Sequence, residues 1–473
     1  MRILFATLQR AERFSNDPAA DFAGALPRAL AARGHQVAVV TPASGAPTPE
    51  GTGRKHRLSL GLKGRSGSGT CQEIPHPDGF SLFVVDAPQL GPAMTNEELD
   101  LPERVAAFGH AALLCCKPLG FSPEVIHVND WRLGPLCALL EEKYRDLPEL
   151  NGCGTVFTFH DVEGPRLFPP EAMMSLGLDW SLFTPDHLEF SGKVSFLKAG
   201  LVFADRITTG SRRFAAEIKV PPAGRGLEHL LRERGDDLRG IPHGLEARAF
   251  DAGPEAPLPQ QQPAGSSAFK SACKAALQQS LGLPVVAEHP LVAAVLPFSG
   301  RAGFDLLLQA APELLQLDIQ LVLSGRGDPA VESAVQDLAT RFPHRLAVRL
   351  ADEREVAKDV LSGADVALFP AREAPYAPFL LAALRLGAIP VARTTGMLAD
   401  TVEDFSQGEG CGFVFERPEA PELLAALRRA LRVMASPDGQ NALRAAGMSL
   451  DLSWDIPARR YEALYREAAA LRR

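Results

Sequence analysis

"RILFAT" (2–7) and "ADFAGALPRALAARGHQVAVVTP" (20–42) decide the fold. The first string is a short apolar run, which reads as a buried parallel strand. In the second, apolar residues recur at helical spacing until Gly34-His35 stops them, and "QVAVVTP" then reads as another strand. Strand, helix, strand within the first 42 residues is the opening of a doubly wound α/β domain. Working outward, "GFSLFVVDAP" (79–88), "VIHVND" (125–130), "GTVFTFHD" (154–161) and "RITTGS" (206–211) are further strands. "ERVAAFGHAALLCC" (103–116) and "FSGKVSFLKAGLVFA" (190–204) read as helices. Residues 43–76 are rich in Gly, Ser and basic side chains but lack a GxxxxGK[ST] pattern, so a surface loop or hairpin is the reading there, not a phosphate loop.

The rhythm breaks at "DAGPEAPLPQQQPAGSS" (251–267), an aperiodic Pro/Gln/Ser stretch with the composition of a linker, and then restarts. "PLVAAVLPF" (290–298), "IQLVLSG" (319–325), "LAVRLA" (346–351) and "DVALFPA" (365–371) read as strands with helices between them, and "DIPARRYEALYREAAALRR" (455–473) is an amphipathic helix. The expected organisation is an N-terminal Rossmann-like domain over 1–248, a linker and entry segment over 249–284, a second Rossmann-like domain over 285–450, and a closing helix over 451–473. That order describes a GT-B-like architecture, two domains facing each other across a cleft, with the last helix crossing back to the first domain.

A chain of 473 residues with 46% hydrophobic and 22% charged residues is that of a globular protein, not a disordered one. The formal net charge of -8 speaks against a general nucleic-acid or anionic-membrane partner. No stretch approaches ~18 uninterrupted apolar residues, the N-terminal apolar run is too short for a signal peptide, and a cytoplasmic location is expected. The seven cysteines are scattered without CxxC spacing, which implies neither a disulfide framework nor a zinc site.

Several strings carry more than rhythm. "GALPRALAARGHQVAVVTP", "VIHVNDW", "TVFTFHD", "VSFLKAGLVFADRITTGS" and "GLEHLLRER" followed by "GIPHGLE" resemble, in order, the N-terminal domain of glycogen and starch synthases. "KAALQQSLGLP", "LVLSGRGDPAVE", "LSGADVALFPAR", "ALRLGAIPVARTTGMLADTV", "GCGFVFE" and "SWDIPARRYEALY" resemble their C-terminal domain and closing helix. The resemblance implies a retaining glucosyltransferase that moves glucose from ADP-glucose to the end of an α-1,4-glucan, with no metal and no cofactor. Such a site must offer cations or helix N-termini to the departing phosphates and a fixed polar frame to the sugar.

Carried onto this chain, the resemblance marks His160 and Asp130 as retained catalytic candidates. Asp21, Gly24, Gly325, Gly327, Asp328, Arg372, Thr395 and Gly396 are the retained substrate-binding candidates. Elsewhere the letters differ. The family's Lys-x-Gly-Gly falls on Ser15, Asn16, Asp17 and Pro18, where Asp17 and Pro18 make a good helix start. Its phosphate-clamping Arg and Lys fall on Pro297 and Ala302, with Arg301 next door, and its catalytic Glu falls on Ala374, with Glu373 one residue early. A glycine that lets a helix N-terminus touch phosphate falls on Ala377, flanked by Tyr376 and Pro378. The second glycine of Thr-Gly-Gly is Met397, and the aromatic that stacks on adenine is Asp352.

Three readings follow. In one, the chain is an impaired or inactive synthase homologue with a binding or regulatory role, its partner an α-glucan or an active glycogen synthase and its hold on nucleotide-sugars weak. In the second, it is an active glycosyltransferase with a rearranged site. In the third, it is a structural partner whose cleft binds nothing.

Overall fold

The computed structural model describes residues 1–9, 17–43, 53–62, 65–90, 101–162, 167–246, 250, 266–406 and 408–472. In the first half the strands are β1 (Arg2–Ala6), β2 (Gln36–Pro42), β3 (Lys55–Leu62), β4 (Arg65–Pro75), β5 (Ser81–Asp86), β6 (Val125–Asn129) and β7 (Gly154–Thr158). Then come β8 (Leu167–Phe168), β9 (Glu189–Phe190), β10 (Lys193–Ser195), β11 (Arg206–Thr209) and β12 (Leu238–Gly240). Among the described residues the main sheet runs β12-β11-β7-β6-β1-β2-β5-β4-β3, and β8, β10 and β9 form a small sheet of their own. The strands from β12 to β5 are parallel, and β3 and β4 add an antiparallel hairpin at the edge. The described part of the Gly/Ser-rich stretch is therefore a hairpin.

The second half holds β13 (Leu291–Val295), β14 (Gln320–Ser324), β15 (Leu346–Arg349), β16 (Val366–Phe369), β17 (Ile389–Arg393) and β18 (Phe413–Phe415). They form an all-parallel sheet in the order β15-β14-β13-β16-β17-β18. These strands are almost continuously apolar because helices cover both faces. Both sheets reverse strand order beside their first strand, which places a crevice at the carboxyl ends of the strands. The chain is thus two Rossmann-like α/β domains of the GT-B kind.

One element differs from the sequence reading. Residues 190–204 are not one long helix: β9 and β10 form a hairpin, and the helix covers only Phe196–Phe203. Gly192 sits in the turn at φ 76°, and the Ser195 hydroxyl caps the helix by accepting from the Lys198 amide at 3.2 Å. The Pro/Gln-rich 251–265 lies outside the described residues. Ser267–Ser280, within the stretch read as linker and entry, is a helix whose Cys273 and Leu277 backs onto Gly363. Leu245 and Phe250 join the same C-terminal core.

The closing helix, Asp455–Ala470, leaves the second domain and packs on the first. Tyr461, Leu464, Tyr465 and Ala468 share one buried cluster with Ile3, Phe22, Val125 and Val156. The Tyr465 hydroxyl meets His127 Nδ1 at 2.6 Å, His127 Nε2 meets Thr158 Oγ1 at 2.7 Å, and Tyr461 meets Thr208 Oγ1 at 3.1 Å. Gly154 is required here, because a Cβ would stand 2.4 Å from the Ala468 carbonyl carbon. Outside this buried patch, Arg33 pairs with Asp455 and Glu462, and Arg239 pairs with Glu467.

Candidate functional site in the interdomain cleft

The helix Pro18–Ala32 starts beneath the cleft. Asp17 caps it, its carboxylate accepting from the Ala19 amide at 2.9 Å, and Pro18 takes the first position, where no amide hydrogen is needed. The Ala19 amide at this helix start is thus taken by the Asp17 carboxylate. Ser15 and Asn16 lie outside the described residues. Asp21 is buried in the first turn, and Gly24 is buried in the helix interior.

At the carboxyl end of β6, Asn129 donates to Thr7 Oγ1 at 3.2 Å and to the Ala19 carbonyl at 2.9 Å, and its carbonyl oxygen holds His160 Nε2 at 2.8 Å. Burial, reinforced by nearby His243, His127 and Arg132, keeps the His160 imidazole neutral. Asp130 follows at φ 81° and ψ 148°, a region costly for any residue with a Cβ. Its carboxylate compensates by accepting from the Arg132 amide at 3.1 Å and pairing with the Arg132 guanidinium at 2.9 Å. Burial pushes its pKa up to about 6 against that pairing, and Asp17 and Asp161 push the same way.

The second domain meets these groups through residues 370–378. Tyr376 reaches across and its hydroxyl donates to Asp21; burial, then that carboxylate, raise its pKa far above the usual phenol range. Its ring stands 5.4 Å from that of His243, which stands 5.6 Å from His160 and 4.9 Å from Phe22. The helix behind it, Pro378–Arg385, has its entry closed: the Ala377 amide points at Met397 Sδ, 3.3 Å away, and Pro378 has no amide hydrogen. Ala374 is buried, and its carbonyl accepts from the Met397 amide at 2.6 Å. Gly396 allows this contact, since a Cβ there would be 2.0 Å from the same carbonyl oxygen. Glu373 is tied to Arg225 of the first domain at 2.7 Å and to Arg301 at 3.5 Å.

The structure brings Asp21, Asp130, His160, Arg372, Ala374, Thr395 and Gly396 to the cleft but gives several of them architectural duties. Arg372 pairs with Asp305 at 2.6 Å. The Thr395 hydroxyl and Gly396 amide donate to Glu217 of the first domain at 3.1 and 3.2 Å. Gly325 and Gly327 let their loop press against Leu296 and Phe298, and Asp328 caps the helix Pro329–Arg341. Pro297 is exposed, and the Ala302 amide donates to Ser299 Oγ within its own turn. Asp352 caps the helix Glu353–Gly363 and holds Arg354, which keeps its carboxyl below the usual range.

Four cleft residues escaped the sequence reading: His243, Glu217, Arg225 and Asp400. Asp400 accepts from the Ser211 hydroxyl at 2.8 Å and from the Arg212 and Arg213 amides at 2.6 and 3.2 Å, so the second domain caps a helix of the first. Two of them lie in strings already quoted, His243 in "GIPHGLE" and Asp400 in "ALRLGAIPVARTTGMLADTV", and nothing in the spacing singled either out. Beside this contact lies a cavity of about 520 Å³ whose wall includes Arg213, Arg225, Arg372 and Arg393.

Two facing Rossmann-like domains, a polar cleft at the carboxyl ends of their strands and a closing helix that crosses back define the GT-B class of glycosyltransferase. The sequence profile described as "Starch synthase catalytic domain" matches residues 18–233, and that described as "Glycosyl transferases group 1" matches 289–432. The glycogen synthase of Anaeromyxobacter dehalogenans strain 2CP-C is 40% identical, over 99% of this chain and 100% of its own length. That of Syntrophotalea carbinolica is 35% identical, over 100% and 99%. The chain belongs to the glycogen synthase family. Among solved structures, the catalytic domain of Arabidopsis thaliana starch synthase IV, bound to ADP and acarbose, shares the fold with a TM-score of 0.85 at 24% identity, covering 99% of each chain. Sucrose-phosphate synthase from Thermosynechococcus elongatus does so with a TM-score of 0.62 at 18% identity, also covering 99% of each. No helix among the described residues is long and apolar enough to cross a membrane.

Proposed function

We propose that this chain is a cytoplasmic, glucan-recognising member of the glycogen synthase family whose glucosyl transfer is impaired. The observation that carries the reading is Tyr376, which spans the cleft to Asp21 beside two helix entries already closed by Asp17, Pro18, Met397 and Pro378. A diphosphate leaving group needs cations or free amides where charge develops, and Pro297, Ala302 and Ala374 supply neither those nor a carboxylate. Losing one such stabilising group costs about 10²–10³ in rate, so the combined absence is expected to cost about 10⁵ or more, even with strong non-additivity.

Sugar recognition has separate support. His160 Nδ1, both His243 ring nitrogens and Thr209 Oγ1 are buried without a protein partner at the strand ends. Unpaired buried donors and acceptors of this kind suit sugar hydroxyls. Tyr376 and the histidines lie on opposite domains, so separating the domains uncovers them. An α-glucan end is the partner this arrangement fits, with His160 and Asp21 framing the sugar and Asp130 holding the strand end.

One observation favours the second reading, an active transferase with a rearranged site. Arg213, Arg225, Arg372 and Arg393 converge on the cavity at the domain seam and could receive phosphates away from the family's clamp positions. Thermal melting with ADP, ADP-glucose, UDP-glucose and maltooligosaccharides separates the two. The proposal expects maltooligosaccharides to raise the melting temperature while the nucleotides do little; micromolar affinity for ADP-glucose at physiological salt contradicts it.

A further inference from the structure

The cleft uses the carboxyl ends of the C-terminal strands. At their amino ends lies a second, recessed cavity of about 260 Å³, between the helices Ser267–Ser280 and Pro437–Met448. Lys270, Lys274, Arg444 and Asp365 are on its wall, and all four are buried. Asp365 is fully engaged: Lys274 Nζ lies 2.8 Å from one oxygen, Arg444 Nη2 donates to the other at 3.0 Å, and the Leu291 amide donates at 3.0 Å. Lys270 finds no carboxylate and donates instead to the Leu361 and Ala364 carbonyls. The other acidic residue on the wall, Glu288, is exposed.

Three buried cations therefore share one buried carboxylate, and an excess of buried charge is costly unless something offsets it. Burial first, and then the charges of Arg444 and Lys274, pull the Lys270 ammonium down to about 7 against the pull of Asp365. Arg444 adds a second, independent observation: its Nε is buried without a partner. A guanidinium with one edge on Asp365 and an idle N–H beside a cavity is poised for a second oxyanion.

We propose that this cavity binds a small oxyanion, a phosphate or phosphate monoester, with Arg444 Nε as its donor and Lys270 and Lys274 as its counter-charge. The site lies at the far end of the sheet from the cleft and holds whether or not the cleft transfers glucose. One of its walls is the first described helix after the segment joining the domains, and the other is the helix just before the chain crosses back to the first domain. An anion held between them touches the helices that flank both interdomain connections.

The test is calorimetric titration of the full chain with inorganic phosphate and with glucose 1-phosphate at constant ionic strength, using chloride as the control anion. Saturable binding of phosphate is expected. Tighter binding of glucose 1-phosphate assigns the site to a monoester, and equal binding assigns it to the free ion. Ser271→Glu, which puts a carboxylate on the exposed rim, should weaken binding at least tenfold, as should Arg444→Gln. If Arg444→Gln fails to fold, Ser271→Glu alone decides. No saturable binding to the wild type, or undiminished affinity in Ser271→Glu, overturns the proposal.

Discussion

The N-terminal domain meets distant parts of the chain on two faces, and the two contacts are built differently. Against the closing helix, Tyr461 and Tyr465 are fully buried, and their hydroxyls join a chain of hydrogen bonds through His127, Thr158 and Thr208. Against residues 370–378, the Tyr376 phenol reaches Asp21 and Glu373 pairs with Arg225, while the neighbouring histidines and Thr209 keep unpaired polar atoms. The first contact is hydrogen-bonded along the helix, and the unpaired polar atom in its cluster is the indole N–H of Trp454 at the helix start. The second leaves polar capacity unused, as a surface does when it meets something other than the protein. The same chain thus spends its packing on holding the domains together and leaves the cleft open to change.

The largest expected effect probes the closing-helix contact. Tyr461→Ala should destabilise the protein by about 3–5 kcal/mol in urea denaturation, as large buried aromatics do when truncated. A loss below about 1 kcal/mol would break the comparison. Tyr465→Phe is a finer probe of the same face: it strands His127 Nδ1 in the core and should cost about 1–3 kcal/mol.

Acid should act through the histidines. Burial lowers His127 and His243 to about 3, far below the ordinary 6.5, and lowers His160 as well. Unfolding therefore takes up protons, so the stability these neutral rings carry is complete above about pH 6.5 and is lost as pH falls toward the folded values. Each ring adds up to about 1.4 kcal/mol per pH unit to that slope. His243→Phe should flatten the slope between pH 6 and 5 by about that amount; an unchanged slope in the variant counts against a neutral, buried His243. Asp130 works in the opposite sense, because its raised pKa lets the folded state hold a proton that the unfolded state releases as pH rises from about 4 to about 6.

The smallest effect belongs to the cleft. Tyr376→Phe should change stability by less than about 1 kcal/mol, because Asp21 can meet water once the domains part. If it instead matches Tyr465→Phe, the cleft contact is as structural as the closing-helix contact.

The sequence carried the fold well because the fold rests on repeated signals. Apolar runs such as "RILFAT" and "IQLVLSG", the Gly34 stop and the amphipathic tail each point to one element, and each element is where its pattern put it. The stretch 190–204 misled because its apolar letters suit a helix throughout, whereas Gly192 in a positive-φ turn splits off a hairpin. The cleft was harder to read. Asp17, Asp328 and Asp352 were visible as letters, but their work as helix caps depends on backbone geometry. Glu217, Arg225 and Asp400 matter only because two domains meet, and no local spacing encodes a partner about 150 or more residues away. His243 belongs with them: its neighbours Phe22, His160, Trp454 and Tyr376 come from four separate parts of the chain.

The central claim, a glycogen synthase fold whose transfer chemistry is impaired, is tested most directly by incubating the purified chain with ADP-glucose and maltooligosaccharide and following both ADP release and glucan length. The account predicts no ADP-glucose-dependent elongation from the wild type, even where maltooligosaccharide raises its melting temperature. Elongation at a rate typical of enzymes, about 1 s⁻¹ or more, would contradict it and move the phosphate site to the arginines of the domain seam.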